Sequence, residues 1–364
     1  MADFNQRDRV FTEKYRPHTI KDMVLDKETK KLIYTYLSKP LAIPHFLLYS
    51  KTPGTGKCLT EGSLFFTKSG LISFRDYCKK ARIKNEYTSL AEDLYDVENG
   101  FVKSEYFYKS KDKTILIETK HGYIIEGTTE HKIKVFNIKK GFNWKSLKDI
   151  TRNDYLPIFC DTNIFGNNDI FDYGVYNTIK KKPHDSCSVD IRLPKMINND
   201  IGFLLGVIVA NGVYCGGSIN ISTLKQWLQQ KLLKILKDNF DIDGTLMKKK
   251  NSLKPVGIGI GRIHFRDFLL TVCGCTSKTA RKKIVPRKIF ECSKSVQMNF
   301  LNGLFEDSWL DRNAGNSIQY FTASKQLANE VKYMLLNLGF FTTNSKKYLE
   351  KYRHTYHNLT ICAE

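Results

Sequence analysis

The residues best suited to chemistry in this chain of 364 residues lie at a break in a glycine-rich loop. Pro53-Gly54-Thr55-Gly56-Lys57 has the make-up of a loop that aims backbone N–H groups at phosphates. Gly54, Thr55 and Gly56 would form the cradle, and Lys57 would bring the charge. Such a loop continues with Ser or Thr, whose hydroxyl holds Mg²⁺, and then with a helix. Here Lys57 is followed by Cys58, and Leu59-Thr60-Glu61-Gly62-Ser63 opens a different kind of sequence. The metal-binding hydroxyl is missing, and a thiol stands at the break.

The elements before the break suit a phosphate loop. Residues 27–37 have the spacing of an amphipathic helix, and Pro44-His45-Phe46-Leu47-Leu48-Tyr49-Ser50 reads as a short buried strand running into Gly54. With Glu13-Lys14-Tyr15-Arg16-Pro17 and Ile43-Pro44-His45, residues 1–57 resemble the start of clamp-loader small subunits, the replication factor C family and its T-even phage counterparts. Lys51 departs from that pattern, standing where the first glycine is usual. The resemblance implies an α/β AAA+ ATPase that would bind ATP and Mg²⁺ and work with other clamp-loader subunits and a sliding clamp. Downstream there is no apolar strand ending in paired acids, so residues 1–57 read as an interrupted stub.

Residues 58–159 read as all-β, with strands over 63–67, 114–120, 122–126, 132–136 and 155–158 separated by turns at His121-Gly122 and Lys140-Gly141. A leading Cys58 at the border of a foreign motif, followed 70 residues later by Thr128-Thr129-Glu130-His131, resembles the first part of an intein splicing domain, the Hint fold. That resemblance implies autocatalysis without any cofactor. The Cys58 thiol would attack the Lys57 carbonyl and turn the amide into a thioester. At an ordinary thiol pKa of ~8.5 only a few per cent is thiolate at neutral pH, so activation helps. His131 would protonate the departing amide nitrogen, an effect of roughly 10²–10⁴-fold, and Thr128 would hold the scissile peptide polarised. The later steps need a terminal His-Asn pair followed by Cys, Ser or Thr. His357-Asn358 is followed by Leu359 and reads as part of a final strand of the next domain. The chain is accordingly expected to be an N-terminal portion, whose missing C-terminal intein and extein part comes from the same gene or a separate chain.

Residues 160–186, rich in Asn, Asp and Lys, read as a linker, and residues 187–364 repeat themselves. Pro194-Lys195-Met196-Ile197 precedes Phe203-Leu204-Leu205-Gly206, and Pro286-Arg287-Lys288-Ile289 precedes Phe300-Leu301-Asn302-Gly303. Ser218-Ile219-Asn220 leads to a helix at 227–236, and Ser317-Ile318-Gln319 leads to one at 325–338 that ends at Gly339. A duplicated αβ unit predicts a pseudo-twofold saddle suited to duplex DNA. The segment resembles LAGLIDADG homing endonucleases, an α+β fold, and the resemblance implies one metal-holding acid near the end of each motif helix. Those positions are Asn211 and Ser308, with Gly206 and Ala210 on the packing face. Mg²⁺ gains most from charged oxygen ligands, which a carboxamide and a hydroxyl do not supply. The expectation is a domain that binds DNA without cutting it. Lys283, in Arg281-Lys282-Lys283 before Pro286, stands where the family carries a basic block; it fits either a former role in the reaction or a phosphate contact.

The bulk properties agree with a DNA-binding protein of several domains. The formal net charge is +21, with +5 in residues 1–57, +3 in 58–186 and +13 in 187–364. No apolar run reaches membrane-spanning length, and nine scattered cysteines without paired zinc spacing suggest reduced thiols in a cytoplasm, the cell's own or a viral host's. Two other readings stay open: an active site-specific endonuclease, and an ATP-binding clamp-loader subunit with an unprocessed insertion.

Overall fold

The computed structural model describes residues 58–80, 88–89, 92–103, 106–107, 111–180, 191–248, 255–276, 279–311 and 317–361. The phosphate loop, with the helix and strand expected before it, lies outside the described residues.

From Cys58 onward the chain forms short antiparallel ribbons. β1 (Leu64–Thr67) and β2 (Gly70–Ser73) close a tight hairpin, and α1 (Phe74–Lys80) follows, a helix that the all-β reading of this segment did not include. Next come β3 (Thr88–Ser89), β4 (Asp93–Asp96), β5 (Gly100–Lys103) and β6 (Tyr106–Phe107). β4 and β5 extend the first sheet in the order β2-β1-β4-β5, and β3 pairs with β6. β7 (Thr114–Glu118) pairs with β8 (Ile124–Thr128), and β9 (Lys132–Asn137) pairs with β10 (Gly141–Ser146). In β7, Ile115 and Ile117 are the half-buried residues of an otherwise exposed strand, the period-2 pattern that made it legible. The strand expected at 155–158 is reduced to one bridge between Tyr155 and Phe136, since Pro157 has no N–H for a ladder.

The rest is a duplicated unit. α2 (Gly174–Lys180) leads to α3 (Asn199–Asn211), β11 (Gly212–Cys215), β12 (Ser218–Ser222), α4 (Gln226–Phe240), β13 (Thr245–Lys248), β14 (Pro255–Ile260) and α5 (Ile263–Thr271). After α6 (Arg287–Glu291) the pattern recurs as α7 (Lys294–Leu304), β15 (Trp309–Asp311), β16 (Ser317–Thr322), α8 (Lys325–Asn337), β17 (Thr342–Leu349) and β18 (His354–Ile361). The sheets have matching strand orders, β11-β12-β14-β13 and β15-β16-β18-β17, as the internal repeat predicts. Ile219, Ile221, Ile258 and Ile260 of the first sheet and Tyr320, Leu359 and Ile361 of the second point into one core. α3 is buried over nine consecutive residues, 201–209, so it is a central helix and needs no polar stripe. Its N-cap is Asn198, whose Oδ1 accepts from Ile201 N at 2.9 Å.

Residues 160–180, read in the sequence as linker, are packed. Asp161 N and Asn163 N donate to the carbonyls of Leu336 and Asn337 at 2.8 and 3.0 Å, and Phe171 and Tyr176 enter the core. Asp172 Oδ1 accepts locally from Gly174 N, but Asp169 Oδ1 accepts from Ser293 N at 2.9 Å, and composition alone does not distinguish such residues from those of a solvated linker.

The ribbons are fastened to the second half of the repeat. At the β7–β8 turn, Asn344 N donates to His121 O at 3.1 Å. Gly122, with φ 75°, packs so closely that an added Cβ would lie 2.7 Å from Asn344 O. Lys332 of α8 is fully buried, donates to Gly122 O, and stands 4.2 Å from the centre of the Tyr123 ring. Elsewhere Arg287 joins Asp76 of α1 at 3.0 Å to Glu330 of α8 at 2.8 Å.

Burial pulls the Lys332 ammonium down to about 8 from the usual lysine range. Between pH 8 and about 10.4, the unfolded value, the unfolded chain holds a proton that the folded chain has released. Stability contributed by this group therefore rises with pH across that window. Lys332→Met removes the titration. Wild type is expected to gain roughly 2 kcal/mol on Lys332→Met between pH 7.5 and 10, read by chemical denaturation. Parallel pH profiles for the two proteins would contradict the assignment.

Candidate functional site

Cys58 is docked as part of an added strand. Leu59 bridges Gly127 in antiparallel fashion, Thr60 N donates to Glu126 O at 3.0 Å, and Thr128 N donates to Cys58 O at 2.9 Å. The contact requires glycine at 127, because a Cβ there would sit 2.8 Å from Cys58 O. Thr128 ends β8 and is buried. Its Oγ1 accepts from Cys58 N at 3.3 Å and lies 3.4 Å from Cys58 O, within reach to donate to it. One hydroxyl thus touches both backbone polar groups of Cys58. Cys58 N is also the nitrogen of the Lys57–Cys58 peptide. His131 follows one turn later, held through its own backbone: His131 N donates to Thr128 O at 3.0 Å, and Leu147 N donates to His131 O at 2.8 Å. The sequence-predicted trio Cys58, Thr128 and His131 is therefore connected through one strand end.

The second site lies where α3 and α7 end. A Cβ added at Gly206 would lie 2.1 Å from Phe300 O and 2.6 Å from Leu304 N; at Gly303 it would lie 2.1 Å from Phe203 O and 3.1 Å from Val207 N. The contact is reciprocal, and Gly202 against Val296 extends it in the same sense, so the helices run parallel. Asn211 and Ser308 each follow the paired glycine by five residues, which puts them at the same end of the pair. Gly202, Gly206 and Gly303 form the contact face, while Ala210 is half-buried at its rim. Sequence reasoning missed Gly202; the Gly-x-x-x-Gly spacing of 202 and 206 was the available signal.

The two helix ends differ. α3 is regular to Asn211, whereas α7 stops at Leu304 and passes through a 3₁₀ turn at Phe305–Asp307. The motif helix expected to carry Ser308 near its end thus stops before it, and Ser308 stands at the exit with its Oγ donating to Phe305 O at 2.6 Å. Asp307 is exposed. Lys283 Nζ donates to Ala210 O at 3.0 Å, the carbonyl immediately before Asn211. Burial draws its ammonium down to about 8, and the Asp307 carboxylate acts in the opposite direction. Lys283 is positioned by its backbone as well, since its carbonyl accepts from Ser324 Oγ, the N-cap of α8, at 2.6 Å.

These residues do not fit Mg²⁺. Asn211 and Ser308 offer only neutral donors, a carboxamide and a hydroxyl, and the nearby carbonyl of Ala210 accepts from the Lys283 ammonium, whose charge opposes a cation there. Among the described residues no group of three His, Cys, Asp or Glu side chains is arranged to hold a metal ion. His357 and Asn358 lie in the middle of β18: His357 Nδ1 is 3.4 Å from Asn344 Nδ2, and Asn358 Nδ2 donates to Gln319 Oε1 at 3.3 Å. Among the described residues no helix is long and apolar enough to cross a membrane.

Comparison with known proteins places these features. A LAGLIDADG-like domain family matches residues 295–364, from α7 through β18. The chain is 24% identical to the replication factor C small subunit of Methanocaldococcus jannaschii over 97% of its own length and 18% of the relative's. It is 23% identical to an A-type ATP synthase subunit from Pyrococcus abyssi over 85% of its length and 31% of the relative's. A match to the sliding-clamp-loader large subunit of Enterobacteria phage T4 is 45% identical over 67 residues, 18% of this chain and 20% of that one. The chain therefore spans well under half the length of these relatives. Among solved structures, I-DmoI in complex with DNA and Mn aligns at 14% identity and a TM-score of 0.32, covering 45% of this chain and 89% of that one. Residues 295–364 form a LAGLIDADG-like domain, in a chain similar over nearly its whole length to replication factor C small subunits.

Proposed function

We propose that the chain is a self-processing element set into a clamp-loader ATPase, with Cys58 as the nucleophile at the insertion boundary and a DNA-binding, non-cleaving LAGLIDADG domain. The observation that carries this reading is the hydrogen bond from the Cys58 amide to the buried Thr128 hydroxyl. It puts a polar group on the one nitrogen whose bond must break. The Cys58 thiol gives up its proton to solvent and its sulfur attacks the Lys57 carbonyl carbon, the C–N bond breaks, and the amide nitrogen leaves as an amine after taking a proton from His131, which solvent then restores. The product is a thioester between Lys57 and Cys58, formed without redox change or cofactor.

The similarities support an inserted element. One chain matches, over most of its length, proteins named for two different functions, replication factor C and an A-type ATP synthase. A segment shared by such different hosts is what an element that moves between genes would give. In this reading residues 58–159 belong to the splicing domain and 187–364 to the endonuclease-derived domain, with 160–186 joining them. Only when Lys57 is joined to a hydroxyl residue would Gly54, Thr55, Gly56 and Lys57 bind ATP phosphates with Mg²⁺ and the host portion meet other clamp-loader subunits and the clamp. Duplex DNA is the partner of the endonuclease-derived domain, and the donor set at Asn211 and Ser308 supports binding without cutting.

The test is thiol treatment of the purified chain followed by mass spectrometry. A fragment ending at Lys57 is expected from wild type and from no sample of Cys58→Ala. Equal release from both, or none from wild type over days, would overturn the reading.

A further inference from the structure

We infer that the endonuclease-derived half is a working part of the processing site, in which Lys332 is a positioning residue that clamps the turn of the β7–β8 ribbon and so holds Thr128 on Cys58. The inference rests on the reading of Cys58 above and goes beyond it by naming what keeps that site in register.

Among the described residues, β7 and β8 form a sheet of their own. An isolated pair of strands is marginally stable in water, so the ribbon needs support at its ends. One end carries the reacting segment: Leu59 bridges Gly127, and Thr128 N donates to Cys58 O at 2.9 Å. The other end, the turn between the strands, is seated on α8 and β17. Tyr123 Oη accepts from Thr342 N at 3.4 Å, and Asn344 N donates to His121 O at 3.1 Å. The His121 and Tyr123 rings lie 5.3 and 5.5 Å from that of Phe341. Lys346 pairs with Glu118, the last residue of β7, at 2.5 Å.

Lys332 is the centre of this seat. It is fully buried, donates to Gly122 O and faces the Tyr123 ring. Holding an ammonium out of water is unfavourable, and its pKa, drawn down to about 8, records that cost. An apolar side chain would fill the space without this penalty, but it would place no donor on the Gly122 carbonyl. The lysine thus contributes direction rather than stability: it fixes the turn, and with it the register of the strand that ends at Thr128. The chain that leaves Cys58 is fastened to the same half, through Leu71 in the shared core and through Asp76, held by Arg287 at 3.0 Å. Both arms of the processing site therefore rest on the endonuclease-derived half.

The experiment follows thiol-induced release at Lys57 in the full chain, read as a rate constant by mass spectrometry with melting curves in parallel. Lys332→Met should release about tenfold more slowly at a temperature where it is fully folded. Gly122→Ala should slow release to a similar degree without altering a core side chain. Its Cβ, 2.7 Å from Asn344 O and at a φ of 75°, lifts the same turn. Ile219→Val weakens the core of the first sheet, away from the clamp, and should leave the rate within about twofold. In a Thr128→Val background, Lys332→Met should change the rate by less than about twofold, since the lysine acts through the hydroxyl already removed. A lysine that only stabilised the fold would slow both backgrounds alike. Wild-type rates in both folded clamp variants, equal slowing by Ile219→Val, or an undiminished effect of Lys332→Met beside Thr128→Val would each overturn the clamp. A wild type that releases nothing would instead overturn the reading of Cys58, and the clamp with it.

Discussion

Gly206→Val is expected to destabilise the protein by at least ~3 kcal/mol, lowering the melting temperature by roughly 6–12 °C or leaving the chain insoluble. The reason is geometric. A Cβ at 206 falls 2.1 Å from Phe300 O and 2.6 Å from Leu304 N, and both of those atoms belong to backbone. No rotamer change relieves a backbone clash, so α3 and α7 must separate by more than an ångström along a contact lined by fully buried Leu204, Val207, Phe300 and Leu304. Packing at that density does not stretch. Gly303→Val meets Phe203 O at the same 2.1 Å and should cost a similar amount. The two share one contact, so the double variant is expected to fall short of additivity by about 0.5–3 kcal/mol. Gly62→Ala is the control, since nothing lies within 4 Å of the added carbon. Calorimetry or denaturant melts decide it; a Gly206→Val protein as stable as Gly62→Ala would show that the helices do not meet as described.

This helix pair also shows how far the sequence could be read. The repeat of Phe203-Leu204-Leu205-Gly206 as Phe300-Leu301-Asn302-Gly303 gave away the duplication, because a central helix pair needs small residues at one point of contact and apolar residues around it. The matching sheet orders then follow from one unit being used twice. The end of α7 was not legible. Leu304-Phe305-Glu306-Asp307 continues a helical pattern in composition, yet the turn tightens at Phe305, and Ser308 caps the exit. Local hydrogen bonds of this kind compete with the helix and leave no periodic trace. Lys332 was hidden for a different reason. It is a buried lysine whose partner, Gly122 O, is a backbone atom 210 residues distant. A carbonyl partner has no side-chain signature, so a lysine that finds one looks like any other lysine in a basic chain. The segment 160–180 was misread because its polar residues bond to the end of α8, a contact across some 175 residues.

Thr128→Val is expected to slow thiol-induced release at Cys58 by roughly 10–10²-fold while leaving the stability of the ribbons within about 1 kcal/mol. The two effects separate because two different atoms of Thr128 hold Cys58. Its backbone N–H, which valine keeps, donates to Cys58 O at 2.9 Å and, with Leu59–Gly127 and Thr60–Glu126, keeps the added strand in place. Its hydroxyl, which valine lacks, is the group on Cys58 N. A hydroxyl there fixes the direction of the amide N–H, and so the orientation of the nitrogen that must be protonated as the thiol attacks. Positioning of this kind typically contributes a few kcal/mol when it is realised only in the transition state. Thr128→Ser retains the hydroxyl and should release within about threefold of wild type. His131→Ala should lose roughly 10²–10⁴-fold, as for a general acid whose proton the leaving amine requires. Rates would be read as the fraction of chain cleaved after Lys57 over time, with melting curves in parallel. If serine at 128 fails to restore the rate that valine loses, the hydroxyl is not the group that matters. If valine lowers the melting temperature as much as the rate, the residue acts by holding the fold rather than the scissile nitrogen.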